Sequence, residues 1–461
     1  MNWVNIVIAM LPENVLLAGI VVLIGQEILA TNERSALPAA LFTLLVATAA
    51  AAWLSLNDYA LAAFPDHFSV DANALLAKAI VLALAVPVVL ISRAEIAQRQ
   101  LHILLLSSLY GVCLLLSADS FLTLFLGLEL MSLPVYALVV LAYRRPESAE
   151  AALKYLVLGG AATATLLMGV SLLYGWSGSL GLSVFADALH STDAIARMAA
   201  VLVIVAFFLK AAIVPFHAWA PDAYEAAAVP VTAYMATIVK AGVLLAAVRL
   251  FGATTLMPPM ADLVALLPLL SIMWGNLAAM RQQSFRRMIA YSSIAHAGYL
   301  FYAFLGDGAG RFQAVSFYII AYALMNLLAF ASLPPDEDDK ARDRLDRLQG
   351  LFHRRPYAAV MIAIAMLSLA GIPPFPGFVA KFLIFSNVIS AGYVLYGVLG
   401  LVGSYLGIYF YLRVIQYLFM RPENASVARS EPGRLALSAG VICALAAGVL
   451  LVFPGWVIGQ L

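Results

Sequence analysis

Four lysines, a glutamate and two histidines stand inside apolar stretches of this sequence: Lys154, Lys210, Lys240, Lys381, Glu129, His217 and His296. Such groups in such surroundings suit one chemistry above others, the loading and unloading of protons. A carboxylate near a buried lysine holds it protonated while apolar burial drives the proton off, so a change in their separation moves a proton. Histidine can relay protons near neutral pH. His217 lies near Trp219 and Tyr224, and His296 near Tyr291, Ser292, Ser293 and Tyr299; hydrogen-bonded packing accounts for either histidine equally well.

Lys210 lies roughly 18 Å into a helix that starts near Met198, at about 1.5 Å per residue, too deep to reach a membrane surface. An ionised lysine near a bilayer centre costs roughly 2.5–3.5 kcal/mol, so it needs partners or a wet interior. Glu129, in Phe125-Leu126-Gly127-Leu128-Glu129-Leu130, can join the lysines in a buried charge line. The competing reading is a static ion pair of Glu129 with Lys154 or Lys210 that fixes helix packing. Lys154 lies only about 10 Å from the end of its span. Lys78, close to Asp71, reads as snorkelling to the surface and is left off the path.

The elements that position these groups follow from composition. Of 461 residues 64% are hydrophobic and 11% charged, with a mean hydropathy of +0.97, which excludes a soluble globular domain. The chain reads as an all-α polytopic membrane protein, since isolated strands cannot satisfy their backbone in lipid. Fourteen apolar runs are long enough to span: near 4–24, 37–56, 72–92, 101–118, 120–142, 151–174, 198–219, 230–250, 257–279, 286–305, 312–333, 357–388, 393–419 and 433–456. The opening Met1-Asn2-Trp3-Val4 lacks a basic region and Glu13 follows early, so the first run reads as a retained helix rather than a cleaved signal.

The odd-numbered connections carry Arg34; Arg93 and Arg99; Arg144 and Arg145; Arg281, Arg286 and Arg287; Lys340, Arg342, Arg344, Arg347, Arg354 and Arg355; and Arg421, Arg429 and Arg434. The even-numbered ones carry only Arg197, Arg249 and Arg311. The positive-inside rule makes the basic connections cytoplasmic and places both termini outside. The polar stretch from Pro334 to Pro356, with Asp336-Glu337-Asp338-Asp339-Lys340, reads as a solvated cytoplasmic connector in preference to a docking site.

Prolines interrupt the seventh span at Ile213-Val214-Pro215-Phe216 and the twelfth at Ile372-Pro373-Pro374-Phe375, because proline removes a helix hydrogen bond. Ile213, Pro215 and Phe216 stand 159 residues before Ile372, Pro374 and Phe375. That offset implies an internal repeat of five spans, and an odd number turns the second copy over in the membrane. The resulting division is 1–100 for the first three helices, 101–250 and 251–420 for two inverted repeats with broken helices seven and twelve, and 421–461 for the last helix.

Gly306-Asp307-Gly308-Ala309-Gly310 has no preceding strand and reads as a turn, not a nucleotide loop. Gly403 and Gly407 form a GxxxG suited to close helix approach. The two cysteines, Cys113 and Cys443, show no metal or disulfide spacing. Without a flavin, nucleotide or metal motif, redox or nucleotide chemistry has to come from partners or from an ion gradient, and nothing points to nucleic acid.

The run from Lys210 through Val214-Pro215-Phe216-His217-Ala218-Trp219-Ala220-Pro221-Asp222 to Lys240 resembles the antiporter-like subunits of respiratory complex I. Arg286-Arg287-Met288-Ile289-Ala290-Tyr291-Ser292-Ser293-Ile294-Ala295-His296-Ala297-Gly298-Tyr299 and Ala370-Gly371-Ile372-Pro373-Pro374-Phe375 extend the likeness from helix four to helix thirteen. The resemblance implies Glu129 as the carboxylate tuning Lys210, Lys154 as its helix-six neighbour, Lys240 as a connecting relay and Lys381 as the terminal site. It also implies other membrane-arm subunits as partners, with FMN, iron–sulfur clusters and quinone held there and none in this chain, and a place in the bacterial inner membrane. M-type subunits carry Glu where this chain has Lys381, and L-type subunits add a long lateral helix; both differences favour the N-type branch. An Mrp-type cation/proton antiporter subunit, a hydrogenase-linked membrane arm subunit and an inert membrane spacer stay open as alternatives.

Overall fold

The computed structural model describes residues 3–29, 35–92, 99–141, 146–306, 308, 310–334, 344–421 and 433–461. Asn2, Arg34, Arg93, Arg144, Arg145, Asp307, Ala309, the charged run Asp336–Lys340, Arg342 and Arg429 lie outside the described residues. Nineteen helices are used below: α1 Trp3–Ala9, α2 Leu11–Ile28, α3 Ala36–Leu56, α4 Ala72–Ser92, α5 Arg99–Leu116, α6 Phe121–Val140, α7 Pro146–Ser177, α8 Ser183–His190, α9 Ala194–Ala211 and α10 Trp219–Ala226. They continue with α11 Val229–Phe251, α12 Met260–Ala279, α13 Phe285–Phe301, α14 Arg311–Ser332, α15 Pro356–Ala370, α16 Pro376–Ser390, α17 Val394–Phe419, α18 Arg434–Val452 and α19 Pro454–Gln460.

Among the described residues, 12 helices are long and apolar enough to cross a membrane. Two of the fourteen expected spans depart from that pattern. The tenth falls on α13, which has 17 residues, and the twelfth is divided between α15 and α16. A short hairpin, Leu61–Phe64 paired antiparallel with Phe68–Val70, occupies the connection before α4 and was not expected. Part of the expected solvated connector is docked instead: Leu345 and Leu348 are buried, and Leu345 N donates to Gln283 O at 2.9 Å.

Helices α11 and α14 form the centre, α11 wholly and α14 almost wholly buried. Around them α5 packs on α6 and α7 on α9, just as α12 packs on α13 and α14 on α15. Glycine permits the closest approaches. A Cβ at Gly111 would meet the Met131 backbone nitrogen at 2.3 Å, and one at Gly298 would meet Pro268 O at 2.6 Å. Gly403 and Gly407 likewise face Ile272 and Asn276 of α12, as the GxxxG spacing predicts.

Both breaks have the same backbone form at the offset of 159. Helix α9 ends in left-handed Ala212 (φ 61) and α15 in left-handed Gly371 (φ 83). Ile213 N then donates to Phe208 O, and Ile372 N to Leu367 O. Phe216 N reaches Ile213 O at 2.7 Å, and Phe375 N reaches Ile372 O at 3.1 Å. Each break includes one cis X–Pro bond, Val214–Pro215 and Pro373–Pro374. The freed backbone groups find side chains: Ser271 Oγ accepts from Val214 N at 2.8 Å, Trp219 Nε1 donates to Leu209 O, and Ser368 Oγ accepts from Gly377 N at 3.1 Å.

Candidate functional site

Lys210 is the second-last residue of α9, so its ammonium sits where the last carbonyls of that half-helix concentrate negative partial charge. Its Nζ lies 3.2 Å from Glu129 Oε1 on α6 and 3.3 Å from Ser132 Oγ. Thr163 on α7 donates to the same carboxylate oxygen at 2.5 Å. The Lys210 side chain is 7% exposed and that of Glu129 22%. Of the two pairings left open by the sequence, Glu129 takes Lys210.

Lys154 is not part of the buried line. Its side chain is 46% exposed and it contacts Glu150 one turn earlier and Asp222 on α10, both at 2.8 Å. In keeping with its place only about 10 Å from the end of its span, it lies on the rim of an open cavity of about 510 Å³. Arg287 completes the rim, meeting Asp222 and Glu225 at 2.9 Å each. Burial opposes ionisation of Asp222, yet hydrogen bonds from Lys154 and Arg287 hold its carboxyl below the usual carboxylate range.

Lys240 follows a π turn, Met235–Val239, inside α11. Such turns add a residue and re-aim the side chains beyond them. Its ammonium donates to the carbonyl and hydroxyl of Ser293 on α13. Lys210 and Lys240 line one cavity of about 10 Å³ beside the first break, together with Tyr224 and Ser293, the size at which a single water begins to fit.

One turn beyond Ser293, His296 is held at both ring nitrogens: Tyr318 Oη lies 2.8 Å from Nδ1 and Tyr411 Oη 3.1 Å from Nε2. Tyr411 Oη also meets Ser292 Oγ at 2.5 Å. A second cavity of about 10 Å³, lined by His296, Tyr318, Tyr322, Ser368 and Gly377, adjoins the second break. Lys381 on α16 reaches back to Ala370 O at 2.9 Å and to Ser404 Oγ on α17 at 3.0 Å, 5.1 Å from the Tyr299 ring.

The structure therefore brings Glu129, Lys210, Lys240, His296 and Lys381 together. It sets His217 apart, where Nε2 accepts Trp274 Nε1 at 3.0 Å on the far side of the break. Among the described residues no group of three or more His, Cys, Asp or Glu could hold a metal. Ser132, Thr163, Tyr318, Tyr411 and Ser404 were missed, because hydroxyls in apolar helices are common and only the folded geometry selects these; Ser293 stood out only as a neighbour of His296.

Lys78 corrects a second reading. It does not snorkel: it has zero exposure and lies 2.6 Å from Glu13, also fully buried. The unread signal was one acid and one base of opposite sign in the first and third apolar runs.

The family model described as NADH:quinone oxidoreductase/Mrp antiporter, TM, matches residues 118–407. The protein named NADH-quinone oxidoreductase subunit N of Pelobacter propionicus is 38% identical over 431 residues, 92% of each chain. The protein of that name in Desulfovibrio desulfuricans is 35% identical, covering 97% of this chain and 94% of its own. A chain of respiratory complex I from Thermus thermophilus, solved with bound aureothin, superposes with a TM-score of 0.84 at 34% identity, covering 97% of this chain and 98% of that one. A chain of the Mrp complex from Dietzia sp. gives 0.85 at 20% identity, covering 100% and 96%, a likeness of fold.

Proposed function

The chain belongs to the NADH:quinone oxidoreductase/Mrp antiporter membrane family, and from that premise we propose that it is an N-type membrane-arm subunit of an NADH-quinone oxidoreductase that moves protons across the membrane. FMN, iron–sulfur clusters and quinone belong to partner subunits, and electron transfer there drives the cycle. One observation carries the proposal: Glu129–Lys210, Lys240–Ser293, His296 and Lys381 follow one another through the core, across both breaks. The Mrp reading has the same fold in its favour, whereas the 38% identity over 92% of the chain favours the oxidoreductase.

Protons are taken up through the cavity at Lys154, Asp222 and Arg287, whose rim carries Arg286, Arg287 and Arg344 of the basic connections. Lys210 holds a proton while Glu129 stays close and passes it toward Lys240 when that contact loosens; Tyr224 and Ser293 bridge the interval. His296 hands it on between Tyr318 and Tyr411 to Lys381. The segments 101–250 and 251–420 act as two inverted halves flanked by 1–100 and 421–461, in the inner membrane with both termini periplasmic.

In the intact complex, Lys210→Ala or Glu129→Ala lowers quinone reductase activity and proton pumping together, because a stalled protonation step backs up a coupled cycle. Full activity and pumping in both assembled variants would refute the proton-path role. Reporter fusions after Leu461 check the orientation; one active only in the cytoplasm overturns it.

A further inference from the structure

The buried pair Glu13–Lys78 lies outside the line just described, on α2 and α4, which precede both proposed halves. The Nζ to Oε1 contact of 2.6 Å is close but misaligned: neither Glu13 oxygen nor Lys78 Nζ completes a hydrogen bond among the described residues. The Phe68 ring lies 5.0 Å from the ammonium. Buried ion pairs offset their desolvation only when geometry is good and further hydrogen bonds satisfy the remaining lone pairs and protons. Glu13–Lys78 has the burial without that satisfaction.

Polar groups connect it to the main line. Helix α2 packs on α5, and α4 packs on α5 and on the Val229–Tyr234 start of α11. Tyr234 donates to Ser108 Oγ at 2.8 Å, and Ser108 donates to Met131 O on α6 at 2.7 Å. The next residue, Ser132, accepts from Lys210.

We propose that Glu13 and Lys78 form a second carboxylate–lysine pair whose proton shifts in step with Glu129–Lys210 through this seam of α5 and α11 side chains, an inference that rests on the proton-path reading of Glu129 and Lys210. In the step, the N–H bond of the Lys78 ammonium breaks and an O–H bond forms on Glu13, leaving an amine and a carboxylic acid. No other reactant is required. The change of charge on Lys210 supplies the field that selects one form over the other.

The test uses the assembled complex in inverted membrane vesicles. Lys78→Arg keeps the charge but does not release its proton, and Glu13→Leu with Lys78→Met removes the pair without stranding a charge. Both are expected to assemble and to lose most proton pumping, and infrared difference spectra across turnover are expected to show a protonated-carboxyl band that Glu13→Asp displaces. Wild-type pumping in either the arginine or the double variant overturns the proposal, as does a spectrum with no band sensitive to Glu13→Asp. If the double variant does not assemble, the arginine variant and the spectrum decide. Glu129→Gln in the same vesicles separates the two readings: normal pumping there sinks the proton path itself, whereas loss there with normal pumping in Lys78→Arg sinks only the second pair.

Discussion

At the first break the left-handed position is filled by Ala212, and the lysine belongs to the half-helix that ends there; at the second it is filled by Gly371, and the lysine belongs to the half-helix that begins afterwards. The backbone forms match, but the lysines are answered differently. Lys210 faces a full carboxylate charge on Glu129. Lys381 faces a carbonyl at the C-terminus of α15 and the Ser404 hydroxyl, where the helix end supplies only about half an elementary charge. On the proposed proton path, the first site keeps a proton until a contact loosens and the second gives it up readily. A line with unequal retention at its two ends has a direction, which two identical sites would lack.

The largest effect is expected where release is blocked outright. Lys381→Arg preserves charge and both hydrogen-bond acceptors but keeps its proton permanently. Pumping should fall by on the order of 100-fold, the low side of what proton-transfer groups contribute, with subunit assembly unchanged on native gels. Lys381→Glu should retain part of the function, since a carboxylate can also load and release a proton. Normal pumping with arginine would show that residue 381 supplies a fixed charge, and the contrast between the breaks would lose its meaning.

Making the second site resemble the first gives a smaller effect. In Ser404→Asp a carboxylate replaces the hydroxyl 3.0 Å from Lys381, and an opposite charge at that range favours the protonated lysine. Release is then slower at neutral pH and recovers as the outer pH rises. A rate profile in reconstituted vesicles that moves toward alkaline pH supports the unequal retention; an unmoved profile counts against it.

The sequence exposed these sites unequally, for physical reasons. A charge in a lipid-length apolar run stands out whatever the fold, so Lys210, Lys240, Lys381 and Glu129 were legible one by one. Proline marked both breaks, since its missing N–H leaves a gap wherever the helix lies. Lys78 reads from the sequence as reaching water, and Lys154 as a weaker member of the charge line, about 10 Å from the end of its span. Distance from a helix end gives depth, but only the neighbouring helix decides exposure: α10 leaves Lys154 at an open rim, whereas α2 covers Lys78. His217 and His296 could not be ranked at all. Their difference is the company of Tyr318 and Tyr411, more than 20 and 100 residues from His296 in the chain.

The smallest expected effect lies in the one atom by which the two left-handed positions differ. Ala212 holds φ 61 with a Cβ in place, a conformation that costs about 1–2 kcal/mol for a residue other than glycine. Ala212→Gly relieves that cost but makes the unfolded chain freer, so the complex should gain at most about 1 kcal/mol in stability. Gly371→Ala acts in the opposite sense and does more. Its Cβ would stand 2.9 Å from Lys381 Cδ and 3.2 Å from Nζ, so the methyl adds backbone strain and also presses the lysine off Ala370 O. Thermal inactivation should therefore move up slightly in the first variant and down in the second, while pumping falls only in the second. If Gly371→Ala melts earlier but pumps normally, the glycine serves the turn alone; a parallel loss of pumping would mean that the open space at Gly371 is what lets Lys381 reach the carbonyl it releases its proton beside.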